Sequence, residues 1–183
     1  MPFSFREAPI AGLLIAEPRL FPDSRGFFFE SFKSSDFAKA GIAEAFVQDN
    51  HSKSSLGTVR GLHFQRPPFA QGKLVRVTRG RVWDVAVDLR RSSKSFGKWY
   101  GLELSAENRL EFWIPIGFAH GFVALEESTE LQYKCTAEYA PASEAGIRWD
   151  DPTLGIEWPL AGAVVSEKDV TLPTFDPEGE YFA

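Results

Sequence analysis

Apolar and polar residues alternate in short runs along this chain, and proline or glycine interrupts them about every ten residues. Leu13 to Ala16 reads as a short strand ended by Glu17-Pro18. Phe21-Pro22-Asp23-Ser24-Arg25-Gly26 reads as a turn, and Phe27 to Phe32 as the strand after it. Ser34 to Gly41 carries serine caps, an early Asp36 and a closing glycine, the marks of a short helix. Phe46 to Ser52 is a polar strand. In Thr58 to Val77, alternation puts Gly61, His63 and Gln65 on one strand face, and Lys73, Val75 and Val77 on one face of the next. Lys73 to Thr78, a tight turn at Arg79-Gly80-Arg81, and Val82 to Leu89 read as a hairpin. Lys98 to Leu104, Leu110 to Ile114 and Thr129 to Thr136 are further strands, the last with Leu131, Tyr133 and Cys135 on one face. Beyond Pro141 the chain is loop-rich, with a compact charged turn at Ser166-Glu167-Lys168-Asp169. The pattern is all-β, a sandwich or barrel with short peripheral helices.

Composition narrows the class. A chain of 183 residues, 44% hydrophobic and 25% charged, fits one globular domain spanning 1–183. No run approaches the ~18 apolar residues of a membrane span, and the start, Met1-Pro2-Phe3-Ser4-Phe5-Arg6, lacks a signal-peptide pattern, so a cytoplasmic protein is expected. The single cysteine, Cys135, excludes an intramolecular disulfide and a cysteine metal cage. A net charge of −5 argues against nucleic acid. Charge is uneven, however. Between Arg60 and Arg91 eight basic residues face two acidic ones, leaving +6 there and −11 elsewhere. A local cationic zone suits a small anionic ligand such as a phosphate ester.

Candidate chemistry centres on His63 and Lys73. If their strand faces line one interior, a base and a cation meet in one cavity, as needed for a group that loses a proton and then carries negative charge. Asp84 sits on a strand face of small residues (Val82, Ala86), where a carboxylate could meet a neighbouring histidine or lysine. Glu30 is either a surface residue at a strand end or a pocket acceptor. Alternation turns His51 away from Asn50.

Two segments resemble cupin motifs: Gly61-Leu62-His63-Phe64-Gln65 the first, and Pro115-Ile116-Gly117-Phe118-Ala119-His120 the second. Gln65 stands where the first motif has its second metal-binding histidine, and no glutamate follows at the expected distance. The resemblance therefore implies a cupin-type double-stranded β-helix (a jelly roll) without the metal set. It tightens further. Asp23-x-Arg25-Gly26-x-Phe28-x-Glu30, Gln48-Asp49-Asn50, Arg60-Gly61-Leu62-His63, Gln71-x-Lys73, Asp84 to Arg90, Gly117 to Phe122, Tyr133-Lys134 and Lys168-Asp169 occur in order. Together they resemble the dTDP-4-dehydrorhamnose 3,5-epimerases over about Ile10 to Asp169.

That resemblance implies a metal-free homodimer, with no cofactor, acting on a dTDP-linked 4-keto-6-deoxy sugar. It makes His63 the base, Asp169 its carboxylate partner, Lys73 the holder of the enolate oxygen and Tyr133 the proton donor on the far side. It gives Arg25, Arg60 and Lys168 to the diphosphate and sugar. Gln48, Asp49, Asn50, Glu30, Glu144 and His120 become polar substrate contacts, and Tyr139 the ring stacked on thymine. Alternation puts Arg60 on the face opposite His63; a bulge or strand end at Gly61 would reconcile them. An edge strand near Leu13 to Ala16 could pair across subunits. The competing readings are a single-carbon epimerase, a non-catalytic cupin sugar-binding module and a metal-dependent cupin oxygenase.

Overall fold

A computed structural model describes residues 2–182. In chain order it places strands β1 (Phe3–Glu7), β2 (Leu14–Pro18), β3 (Phe21–Asp23) and β4 (Gly26–Phe28), then helix α1 (Ser34–Lys39). Next come β5 (Gln48–Ser54), β6 (Thr58–Gln65), β7 (Lys73–Arg79), β8 (Arg81–Asp88), β9 (Trp99–Ser105), β10 (Glu111–Ile114), β11 (Phe118–Ala124) and β12 (Thr129–Cys135). The tail carries β13 (Glu144–Gly146), β14 (Val164–Val165) and α2 (Glu167–Val170). One sheet has the order β1-β2-β10-β7-β12-β5; the other has β13-β6-β11-β8-β9, with β14 alongside β6. The fold is the cupin-type jelly roll.

The core explains why both faces of several strands are apolar. Ile15, Val75, Val77, Phe112, Ile114 and Leu131 from the first sheet pack against Val82, Ala86, Leu104, Phe118 and Phe122 from the second. The opposite face of β8 carries Val85 and Val87, which with Leu89 pack under the C-terminal segment on Ile147, Leu154, Phe175 and Phe182. A third cluster, Phe3, Phe37, Ile42, Leu74 and Trp113, covers the outside of the first sheet.

Several sequence expectations need correction. The run Lys73–Thr78 and its successor are not a hairpin, because β7 and β8 lie in opposite sheets. Alternation identifies strands and faces but not partners. Gly80 (φ +71°) takes the chain across at a corner where a Cβ would meet Thr129 Oγ1 at 2.5 Å. Leu14–Pro18 is no edge: β1 covers one side and β10 the other, so in-plane pairing across subunits there is blocked. The sequence reading had missed β1, whose Phe3 and Phe5 alternate. Only Phe27 and Phe28 of the expected Phe27–Phe32 strand are extended, within β4, which forms a small hairpin with Phe21–Asp23. The phenylalanine run lacks alternation, and Phe32 instead packs on Phe37 and Phe46. Helix α1 has Lys33 at its N-cap with no side-chain cap bond. The charged turn near Ser166 is the start of α2, capped by Ser166 Oγ accepting from the Asp169 N–H at 3.1 Å.

Candidate active site

Two walls face each other inside the roll. One belongs to the sheet containing β6 and β11, and the other to the sheet containing β7, β12 and β5. On the first wall, β6 slips register against β11: His63 stands opposite His120, whereas Arg60 stands opposite Phe122. β6 thus carries one extra residue across Gly61 and Leu62, a bulge. Arg60 and His63 consequently line the same hollow, as the family resemblance implied and simple alternation did not. Gly61 has φ +146°, and a Cβ there would lie 2.6 Å from the Gly121 Cα, so only glycine fits.

On the second wall, the register places Cys135 opposite both Lys73 and Gln48, and Tyr133 opposite both Val75 and Asn50. Two rungs of inward side chains result. The hollow between the walls measures about 520 Å³ and is lined by Arg60, His63, Lys73, His120, Tyr133, Lys168 and Asp169, among others. A neighbouring chamber of about 210 Å³ shares His63, Lys73 and Tyr133 and adds Gln48, Asn50, Tyr139 and Glu144.

The side chains within it are electrostatically distinct. His63 Nε2 lies 2.7 Å from Asp169 Oδ1. An imidazole N–H donating to a carboxylate leaves the other ring nitrogen, Nδ1, with the free lone pair. Burial pushes the Asp169 carboxyl up, but the His63 hydrogen bond and charge and the Gly61 N–H at 3.3 Å outweigh it and hold its pKa below the ordinary aspartate value. Lys73 is 9% exposed and, among the described residues, its ammonium has no hydrogen-bond or ion-pair partner. Burial lowers its pKa; the charges of Cys135, Asp84 and Glu144 oppose that. The Tyr133 phenol is raised by burial and by Cys135, with Arg60 pulling the other way, so it stays protonated. Its ring centroid is 5.9 Å from Lys73 Nζ.

His120 forms the second imidazole–carboxylate pair: its Nε2 is 3.0 Å from both oxygens of the fully buried Asp84. At the rim, Glu144 ties three elements together. It accepts from Lys168 Nζ at 2.5 Å and from the Tyr139 hydroxyl at 2.8 Å, while the Tyr139 N–H donates to Gln48 Oε1.

The structure separates three of the residues singled out in sequence from this hollow. Arg25 sits at the tip of the β3–β4 hairpin, its side chain 87% exposed and paired with Asp23. Glu30 is half-buried on the segment after that hairpin and lines neither chamber. Asp49 is one residue out of step with Gln48 and Asn50, so it faces the outside of its sheet, where it bridges Lys134 at 3.0 Å. His51 faces out with it, as expected.

The sequence reading missed two contributions. Val164 and Val165, too short a strand to show alternation, form part of the cavity wall. Gln65 has a structural job: its amide donates to Phe69 and Glu138 carbonyls and accepts from the Ala140 N–H. The histidine set of a metal cupin is thereby replaced by an amide engaged with backbone, and no group of three His, Cys, Asp or Glu among the described residues could hold a metal. The residues do not fit that ion.

The family model described as "dTDP-4-dehydrorhamnose 3,5-epimerase" matches residues 7–177. The Escherichia coli (strain K12) protein of that name is 54% identical over 169 residues, covering 91% of each chain. A Legionella pneumophila dTDP-6-deoxy-D-glucose-3,5-epimerase, solved in complex with dTDP-4-keto-L-rhamnose, has a TM-score of 0.89 and 44% identity over 95% of this chain and 99% of its own. A 3'-monoepimerase from Streptomyces bikiniensis, in complex with dTDP-quinovose, shares the fold at a TM-score of 0.87 but only 32% identity, over 92% of this chain and 86% of its own.

Proposed function

The chain belongs to the dTDP-4-dehydrorhamnose 3,5-epimerase family, and we propose that its two facing walls divide the two halves of each proton transfer. The activity is that of an isomerase. A dTDP-linked 4-keto-6-deoxy-glucose is inverted at carbons 3 and 5 to the dTDP-4-keto-rhamnose. Both carbons flank the ketone, so loss of either C–H proton leaves an enolate.

His63 Nδ1 takes that proton, and Asp169 favours the imidazolium that forms. The C–H electrons move onto the ketone oxygen, where Lys73, buried and without a partner among the described residues, supplies positive charge. Tyr133 then delivers its phenolic proton to the opposite face of the same carbon. The observation that carries this reading is the placement of His63 and Tyr133 on different sheets across one hollow, with Lys73 beside Tyr133. Inversion needs a base and an acid on opposite faces, and a one-sided site would return the proton where it came from. Arg60 and Lys168 at the mouth suit the diphosphate, His120 the sugar, Gln48, Asn50 and Glu144 further polar contacts, and Tyr139, 52% exposed, the thymine ring.

We also propose a homodimer working in the cytoplasm. Arg25, at the hairpin tip, lines neither chamber of its own chain, and Phe27 and Phe28 beside it are 56% and 65% exposed. A second copy would cover those rings and bring Arg25 and Glu30 to a diphosphate. The lone buried cysteine suits a reducing compartment. Proton NMR of the product formed in deuterium oxide tests the double inversion: two inverted, deuterated carbons are expected, and one alone would leave the single-carbon reading standing. Sedimentation tests the dimer, with Phe27→Ser, Phe28→Ser expected to give monomers of low activity.

A further inference from the structure

The guanidinium of Arg60 rises from one sheet and is held by the other. β5 ends at Ser54 and β6 begins at Thr58, so the chain passes from the first sheet to the second within Ser55, Leu56 and Gly57. That corner is tied down. The Gly57 N–H donates to the Ala124 carbonyl at 2.9 Å and the Thr58 N–H to the Ser55 carbonyl at 3.1 Å, while the Ser55 and Thr58 hydroxyls lie 3.1 Å apart. The bulge at Gly61 turns Arg60 into the hollow, and its side chain reaches back to the end of β5. There Nε donates to Ser54 Oγ at 3.1 Å and Nη2 to the Lys53 carbonyl at 3.2 Å. Ser54 is 4% exposed, so its hydroxyl is a fixed acceptor rather than a solvated one. By alternation it shares a face with Gln48, Asn50 and Ser52, yet it lines neither chamber.

We propose that Ser54 is a positioning residue: its hydroxyl, with the Lys53 carbonyl, locks one edge of the Arg60 guanidinium so that the other edge meets the substrate diphosphate. The inference rests on the reading of Arg60 as a diphosphate ligand. Nε and Nη2 form one edge of the planar fork. Two of the five N–H groups of a guanidinium are thus spent on β5, and the three that remain, two on Nη1 and one on Nη2, lie along the free end. A fork pairs with two phosphate oxygens along one edge at a time, so fixing the first edge selects the second. A loose arginine would lose side-chain freedom on meeting the anion, a cost that the bonds to β5 remove in advance. The charge is uncommitted as well. Arg60 makes no ion pair among the described residues, whereas Lys168, the other cation given to the diphosphate, is already held by Glu144.

A double-mutant cycle tests this, with dTDP titrated calorimetrically into the parent, Ser54→Ala, Arg60→Met and the double variant, and with steady-state kinetics on each. Ser54→Ala should weaken dTDP and raise KM by roughly tenfold, the worth of a well-aligned charge-assisted contact. Its kcat should stay within about twofold, because the contact is remote from the reacting carbons; an unchanged kcat also shows that the variant is folded. Arg60→Met should weaken dTDP further, and Ser54→Ala on top of it should add nothing. Parent-like dTDP affinity in Ser54→Ala, a loss carried by kcat, or an equal loss in the Arg60→Met background would overturn the role of Ser54 alone. Unchanged dTDP affinity in Arg60→Met, or no dTDP binding by the parent, would overturn the reading of Arg60 and the inference with it.

Discussion

Two imidazole–carboxylate pairs stand on the same wall of the hollow, and they differ in what each leaves free. His63 is 31% exposed in its side chain and takes its carboxylate from α2, an element 106 residues away in sequence. His120 is 8% exposed and shares both oxygens of Asp84 with its neighbour strand, 36 residues away. Asp84 is sealed in the sheet, while Asp169 is presented by a four-residue helix capped by Ser166. In the proposed mechanism the same two functional groups make a reactive base in one place and a fixed hydrogen-bonding wall in the other. Chemistry alone does not mark the base; access to the hollow does.

Removing each ring in turn separates the two pairs most strongly. His63→Ala should lower turnover by roughly 100-fold or more, the usual worth of a general base. His120→Ala should cost about tenfold, mostly in KM, as for a lost contact made equally in ground and transition states. Equal losses in steady-state kinetics would erase the distinction.

Next come the carboxylates. Asp169→Asn should reduce kcat by about 100-fold with dTDP affinity unchanged, because the imidazole loses its orienting anion. Asp84→Asn should spare kcat but destabilise the fold by about 1–3 kcal/mol, since a buried hydrogen-bonded charge is lost. Their pH behaviour should differ too. Asp169 is held below its ordinary pKa in the fold, so the stability it contributes is complete above about pH 4 and lost as pH falls through the folded value. Thermal melts of Asp169→Asn should therefore show a flatter decline on acidification than the parent.

Lys73, on the facing wall of the same hollow, gives an opposite effect on stability. Burial depresses the Lys73 ammonium, so its charge costs stability below the folded pKa, and that cost fades as pH rises toward the ordinary lysine value. Lys73→Met should abolish turnover yet raise stability by about 1–4 kcal/mol at neutral pH, read by denaturant titration. The smallest change is Glu144→Gln. Losing the Lys168 charge contact at the rim should raise KM by roughly tenfold or less and leave kcat nearly unchanged.

The inward faces of the central strands were legible because they obey a strict period of two. His63, Lys73, Asp84 and Tyr133 all point where alternation put them, and even the Gly61 bulge followed from a conflict between Arg60 and His63. Pairing was not legible. Nothing in the turn at Gly80 says whether the next strand folds back or crosses to the other sheet, since both faces of β8 are apolar either way. Asp49 could have been placed outside by the rule that turned His51 away; the family motif overrode it. The pairing of Asp169 with His63 depends on where a loop-rich tail returns, which local pattern does not encode. Arg25 reads as a phosphate ligand in the motif, yet within one chain it sits exposed at a hairpin tip, paired with Asp23.

In the proposed mechanism two groups on opposing sheets perform separate halves of one inversion. Proton NMR of substrate incubated in deuterium oxide with Tyr133→Phe tests it most directly. The base remains, so deuterium should wash into carbons 3 and 5 while their configuration is retained. The companion His63→Ala should show neither exchange nor inversion. If Tyr133→Phe inverts both carbons at the parent rate, or His63→Ala exchanges deuterium as fast as the parent, the two walls do not divide the work.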